Sequence, residues 1–114
     1  MPSKSLVAAS LKPFILSILF EGPNYGYQII KKVSNLTDGH VKWTTGTLYP
    51  LLHTLENDGF LTSYWEEAEE GPKRKFYRLT PLGLGELQRE KTEWMRVNQA
   101  LFSLWGSRVQ LKPI

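Results

Sequence analysis

The sequence predicts a mainly α protein with a small β-hairpin (α+β class): a winged helix-turn-helix followed by one long C-terminal helix. Residues 44–59 place Leu48, Leu51, Leu52 and Leu55 at helical spacing, so one side of a helix must face a core. Two runs rich in aromatic and β-branched residues, 60–65 and 76–80, are joined through Gly71, Pro72, Lys73, Arg74 and Lys75, the makings of a basic hairpin. The last part of the chain then repeats apolar residues three and four apart, with no breaker until Gly106.

Composition sets the bounds. The chain has 114 residues, room for one small domain and an appendage, and 41% of them are hydrophobic, a globular proportion. The net charge of +3 is a mild basic bias that points only weakly to a polyanion. Cysteine is absent, which removes disulfides, thiol catalysis and Cys-based zinc sites together. The apolar run Phe14–Phe20 is too short to span a bilayer and no cleavage signal follows it, so a cytoplasmic protein without membrane contact is expected.

The first helix is expected from about Leu6 to Phe20, stopped by Gly22 and Pro23, with Pro13 as an irregularity inside it. Leu6, Leu11, Phe14, Ile15, Leu16, Ile18 and Leu19 run nearly all the way round it, which predicts cover from a second subunit. The second helix is expected from Asn24, as cap, to Asn35, with Tyr27, Ile29, Ile30 and Val33 as its buried stripe. Thr44 caps the third, and Asp58 and Gly59 end it. Pro50 lies past its first turn and predicts a bend, eased by Gly46 four residues back. After the strands, Thr80 as cap and Pro81 at the first helical position start the fourth helix, whose early turns are weakened by Gly83 and Gly85. Its seam runs through Leu84, Leu87, Lys91, Trp94, Asn98, Leu101 and Trp105, broadened by Met95 and Phe102. A helix of about 25 residues is about 37 Å long, more than the domain it leaves, so it predicts a homodimer. The division is residues 1–80 for the winged domain, with the first helix also in the dimer interface, and 81–114 for the dimerisation helix and tail.

The free side of the third helix offers Thr45, Tyr49, Pro50 and His53, with Thr47 near its N-terminus. Hydroxyl, phenol and imidazole groups suit base edges and phosphates in a major groove. A merely solvated face is the alternative, although such faces usually carry Glu and Lys. Lys73, Arg74 and Lys75 at the hairpin suit a phosphate or a minor groove; a solvated charged turn balanced by the neighbouring glutamates is the other reading. Trp94 leaves a gap in a two-stranded seam, and two indoles facing across a dimer axis suit a flat aromatic ligand and would attract a cationic one. Simple packing in the dimer core fits the same residue. Catalysis is not expected: His40 and His53 lack a paired acid, and neither metal-ligand clusters nor phosphate-cradling loops occur. Hence no cofactor or metal is expected.

The runs Asn24-Tyr-Gly-Tyr-Gln-Ile29, Gly46-Thr-Leu-Tyr-Pro-Leu51, Leu55-Glu-Asn-Asp-Gly-Phe-Leu61 and Lys73-Arg-Lys-Phe-Tyr-Arg-Leu-Thr80, followed by Gly83, resemble the PadR family of bacterial transcriptional regulators. The likeness covers nearly the whole chain, and the single last helix resembles the compact branch that includes multidrug-sensing repressors. The resemblance implies a homodimeric repressor bound to a double-stranded operator, with DNA contacts from Thr45, Thr47 and Tyr49 and from Lys73 and Arg74. It implies that Trp94, in Glu93-Trp-Met-Arg-Val-Asn98, lines a pore at the dimer centre and stacks on planar drugs, with Val97 and Asn98 beside it. Phe14, on the facing helix, is bulky enough to fill that pore. Two other readings stay open: a DNA-binding regulator without a small-molecule effector, and a winged-helix module that binds protein.

Overall fold

The computed structural model describes residues 4–68 and 70–111, with side chains at 7–68 and 70–106; residues 112–114 of the expected tail and the side chain of Leu6 lie outside them. The elements run α1 (Lys4–Glu21), β1 (Asn24–Tyr25), α2 (Gly26–Leu36), α3 (Thr45–Asn57), β2 (Leu61–Glu66), β3 (Arg74–Leu79) and α4 (Pro81–Leu111). The strands form one antiparallel sheet in the order β1-β3-β2.

α1 is the centre of the subunit. Leu11, Ile15, Leu16, Ile18 and Leu19 are all buried, against α2, β3 and α4 of the same chain. The single subunit therefore covers most of a helix that the sequence assigned to a dimer interface. Among the described residues of α1, Val7 and Phe14 are half-buried and Phe20 is exposed. Pro13 is accommodated without ending α1. The carbonyl it leaves free belongs to the exposed Ala9, which water can satisfy.

The start of α2 differs from expectation. Asn24 does not cap it: its side chain accepts from the Tyr25 N–H at 2.9 Å, and Asn24 and Tyr25 pair with Tyr77 and Phe76 of β3. Pairing fixes these residues as strand, so α2 begins at Gly26 with no side-chain cap. Its stripe is Gly26, Ile29 and Val33, and Tyr27, expected inside, is 71% exposed.

α3 runs unbroken through Pro50. Thr44 caps it as expected, its hydroxyl accepting from Thr47 N–H at 3.2 Å, and Leu48, Leu52 and Leu55 are buried. Leu51, counted with them, is only partly covered. In the hairpin, β3 starts at Arg74 rather than Phe76, because Glu66 and Trp65 of β2 pair with Arg74 and Lys75. Both cations are thus strand residues, not tip residues.

Thr80 caps α4 by accepting from Gly83 N–H at 3.0 Å. Helical geometry breaks at Gly106, with φ 70°. Leu87 anchors α4 in the core, flanked by a Lys12–Glu86 ion pair that Arg89 completes at 2.7 Å. Hydrogen bonds from Arg89, then Lys12, outweigh burial and hold the Glu86 carboxyl down to about 2, against its ordinary 4.5. A lowered folded-state pKa contributes stability that is fully present above pH 4.5 and lost as pH falls through about 2. Melting temperatures followed by circular dichroism across that window should fall less steeply for Glu86→Gln than for the wild type.

Candidate nucleic-acid interface

Three elements meet around one open cleft. Its floor is the outer face of α3, with Tyr49, Pro50 and His53; one wall is α2, with Tyr27, Gln28 and Lys31; the other is the hairpin, with Trp65, Lys73, Arg74 and Lys75. α2 and α3 approach so closely that a Cβ on Gly26 would lie 2.6 Å from the Tyr49 hydroxyl, so only glycine leaves room for that ring. Tyr49 is therefore held in place by the backbone of α2 while part of its ring stays accessible.

The hairpin cations divide by face. Arg74 lies over the Tyr25 ring at 4.8 Å, and Arg78 over Tyr64 at 5.0 Å, while Tyr64 stacks on Phe76 between them. Stacked guanidinium groups keep their planar donors free at the edges. Lys75 points the other way, 4.0 Å from Glu56 and above the ring of Tyr77, and Glu56 in turn accepts from the Ser63 hydroxyl. That set ties the hairpin to the C-terminal half of α3. Burial, then the neighbouring Glu56 and Tyr49, pushes the Tyr77 phenol up, so it stays protonated. Lys73 pairs with Glu67 at 3.8 Å, but both side chains are well exposed and such a pair is weak.

Of the residues the sequence singled out, Tyr49, His53, Lys73, Arg74 and Lys75 come together in the cleft. Thr45 and Thr47 stand outside it, exposed at the N-terminus of α3, where Thr47 Oγ1 is also 3.2 Å from the capping Thr44 hydroxyl. Tyr27, Gln28 and Lys31 were missed. Their signal was the spacing of the true stripe at 26, 29 and 33, which turns 27, 28 and 31 outward.

A second hollow, a cavity of about 400 Å³, lies between α1, α2 and Trp94 of α4. Phe14, Ser17 and Ile18 of α1, Lys32 and Leu36 of α2, and Trp94 of α4 line it. Phe14 and Trp94 are thus brought together with space between them, whereas Val97 and Asn98 are exposed outside the lining. No cluster of three metal-binding side chains occurs among the described residues, nor any helix long and apolar enough to cross a membrane.

The sequence profile of the PadR-like transcriptional regulators matches residues 15–89, from the buried half of α1 to the first turns of α4. The chain belongs to that family. A transcriptional regulator from Clostridium thermocellum is similar to it at 30% identity, with 90% of this chain and 97% of that one covered and a TM-score of 0.81. A PadR-like regulator from Bacillus cereus is similar at 27% identity over 89% of this chain and 96% of that one, with a TM-score of 0.78. A Lysinibacillus sphaericus protein of uncharacterised role is 31% identical over 89% of this chain and 93% of its own length. PadR-family regulators bind DNA and are not enzymes, and this chain is a transcriptional regulator of that kind.

Proposed function

We propose that the protein is a homodimeric repressor that binds a two-fold symmetric operator and is released by planar aromatic ligands held at the dimer interface. The cleft between α2, α3 and the hairpin is the observation that carries the DNA half: Lys31, Lys73 and Arg74 surround a hydrogen-bonding floor of Tyr49 and His53. Phosphates are held by the cations and by Thr45 and Thr47 at the helix N-terminus, and bases are read from α3. Lys75 contributes field while positioning the hairpin through Glu56. Residues 1–80 carry this work and α4 the dimerisation, since Met95, Val97, Phe102 and Trp105 all project an apolar surface from it. Phe14 borders the cavity beside Trp94 without filling it, which favours a ligand there; Val97 and Asn98 would join the lining only from across the dimer.

The test is selection of bound fragments from genomic DNA at near-physiological salt with excess competitor. A few sites sharing a palindromic motif are expected. Sequence-independent retention alone would refute the operator reading and leave the cleft a general polyanion surface.

A further inference from the structure

Trp43 is 5% exposed, and its indole N–H finds no acceptor among the described residues. Buried N–H groups are nearly always paired, so a lone one asks what is meant to meet it. Its ring touches Phe14 edge to face, with centroids 5.8 Å apart and planes at 75°. Phe14 is also a wall of the cavity that Trp94 borders. Phe14 therefore touches both the open cavity and the ring that carries the unused donor. On the other side Trp43 adjoins Thr44, the cap of α3.

Resting on the ligand-responsive reading above, we propose that the cavity continues to Trp43 when Phe14 rotates. The ligand is then a neutral, planar aromatic molecule whose carbonyl or ring nitrogen accepts from the Trp43 indole. Neutrality follows from the lining: Glu21 and Lys32, its charged members, pair with each other, and the rest are apolar or hydroxylated. The ring stacks on Trp94 and displaces the half-buried Phe14 ring. Filling this route presses on the residue directly before the α3 cap, which couples the ligand to the helix that reads DNA.

Two tricyclic probes separate the parts of this proposal: 9-acridone, which has a carbonyl acceptor, and carbazole, which has none. Calorimetry on the wild-type protein should give acridone roughly tenfold tighter binding, the usual return for pairing a buried donor. Trp43→Phe keeps a ring against Phe14 and should bring the two affinities together by weakening acridone alone. Trp94→Ala should weaken both probes. Equal affinities in the wild type, or a preference that survives in Trp43→Phe, overturn the role of Trp43 while the cavity stands. If neither probe binds the wild type, the ligand-responsive reading falls and this one with it. Should Trp43→Phe fold poorly, the wild type still decides: the Trp43 indole proton resonance should move downfield with acridone and stay in place with carbazole.

Discussion

Gly83→Ala is expected to destabilise the protein by about 3 kcal/mol, the upper range for overpacking, and to lower Tm by more than about 10 °C. A Cβ at Gly83 would stand 2.1 Å from the Phe60 carbonyl oxygen and 2.7 Å from Leu79 Cδ1. The first of these is backbone and cannot swing aside. That carbonyl also accepts from Thr80 N–H at 3.0 Å, and the Thr80 hydroxyl donates to the Gly59 carbonyl at 2.6 Å. Both bonds lock the end of α3 to the start of α4, so making room at Gly83 breaks the junction that seats the hairpin. Gly85→Ala is the control, with the opposite sign. Nothing lies within 4 Å of a Cβ there, and alanine in an exposed helical turn gains about 0.5–1 kcal/mol over glycine. Thermal melts of the two variants should move in opposite directions. Equal shifts would mean that α4 can slide away from Phe60 without loss.

That pair also marks how far the sequence reaches. Both glycines weaken the fourth helix when only its propensity is read, and nothing in the string says that one of them faces a carbonyl. Features built from neighbours in the chain are legible: the Thr44 and Thr80 caps, Pro81, and three of the four leucines of the α3 stripe recur in the structure. Features built from distant residues are not. A strand of two residues has no period, so Asn24 and Tyr25 are assigned by their pairing with β3 alone. The all-round apolarity of α1 said that it must be covered, but not by what. Five of its residues are covered by their own subunit. The cleft was half legible. Its floor and hairpin announce themselves through composition, whereas Tyr27, Gln28 and Lys31 depend on the phase of α2, which the assignment of Asn24 as cap had shifted. Trp43 carries no local pattern, and only its burial and its contact with Phe14 give it meaning.

Loss of the proposed dimer should have the largest effect on DNA binding. Met95 and Phe102 are seven residues apart on α4, hence on one face, and are 54% and 47% exposed in the isolated subunit. Neither belongs to the core cluster, so Met95→Glu with Phe102→Glu leaves that cluster intact and removes only the edge-to-face contact of Phe102 with Trp105 on the same helix. Two glutamates on each side of a two-fold interface would bury unpaired like charges, which no dimer contact of ordinary size offsets. Sedimentation should then shift to the 13.1 kDa of a single chain. Operator affinity should fall by about 10²–10⁴, because the second half-site is no longer held at high effective concentration. The circular dichroism spectrum should be unchanged, although Tm should drop and become independent of protein concentration, as expected when association no longer contributes to stability. A variant that still sediments as a dimer would place the interface elsewhere, and the exposed apolar stripe of α4 would then have to meet a different partner.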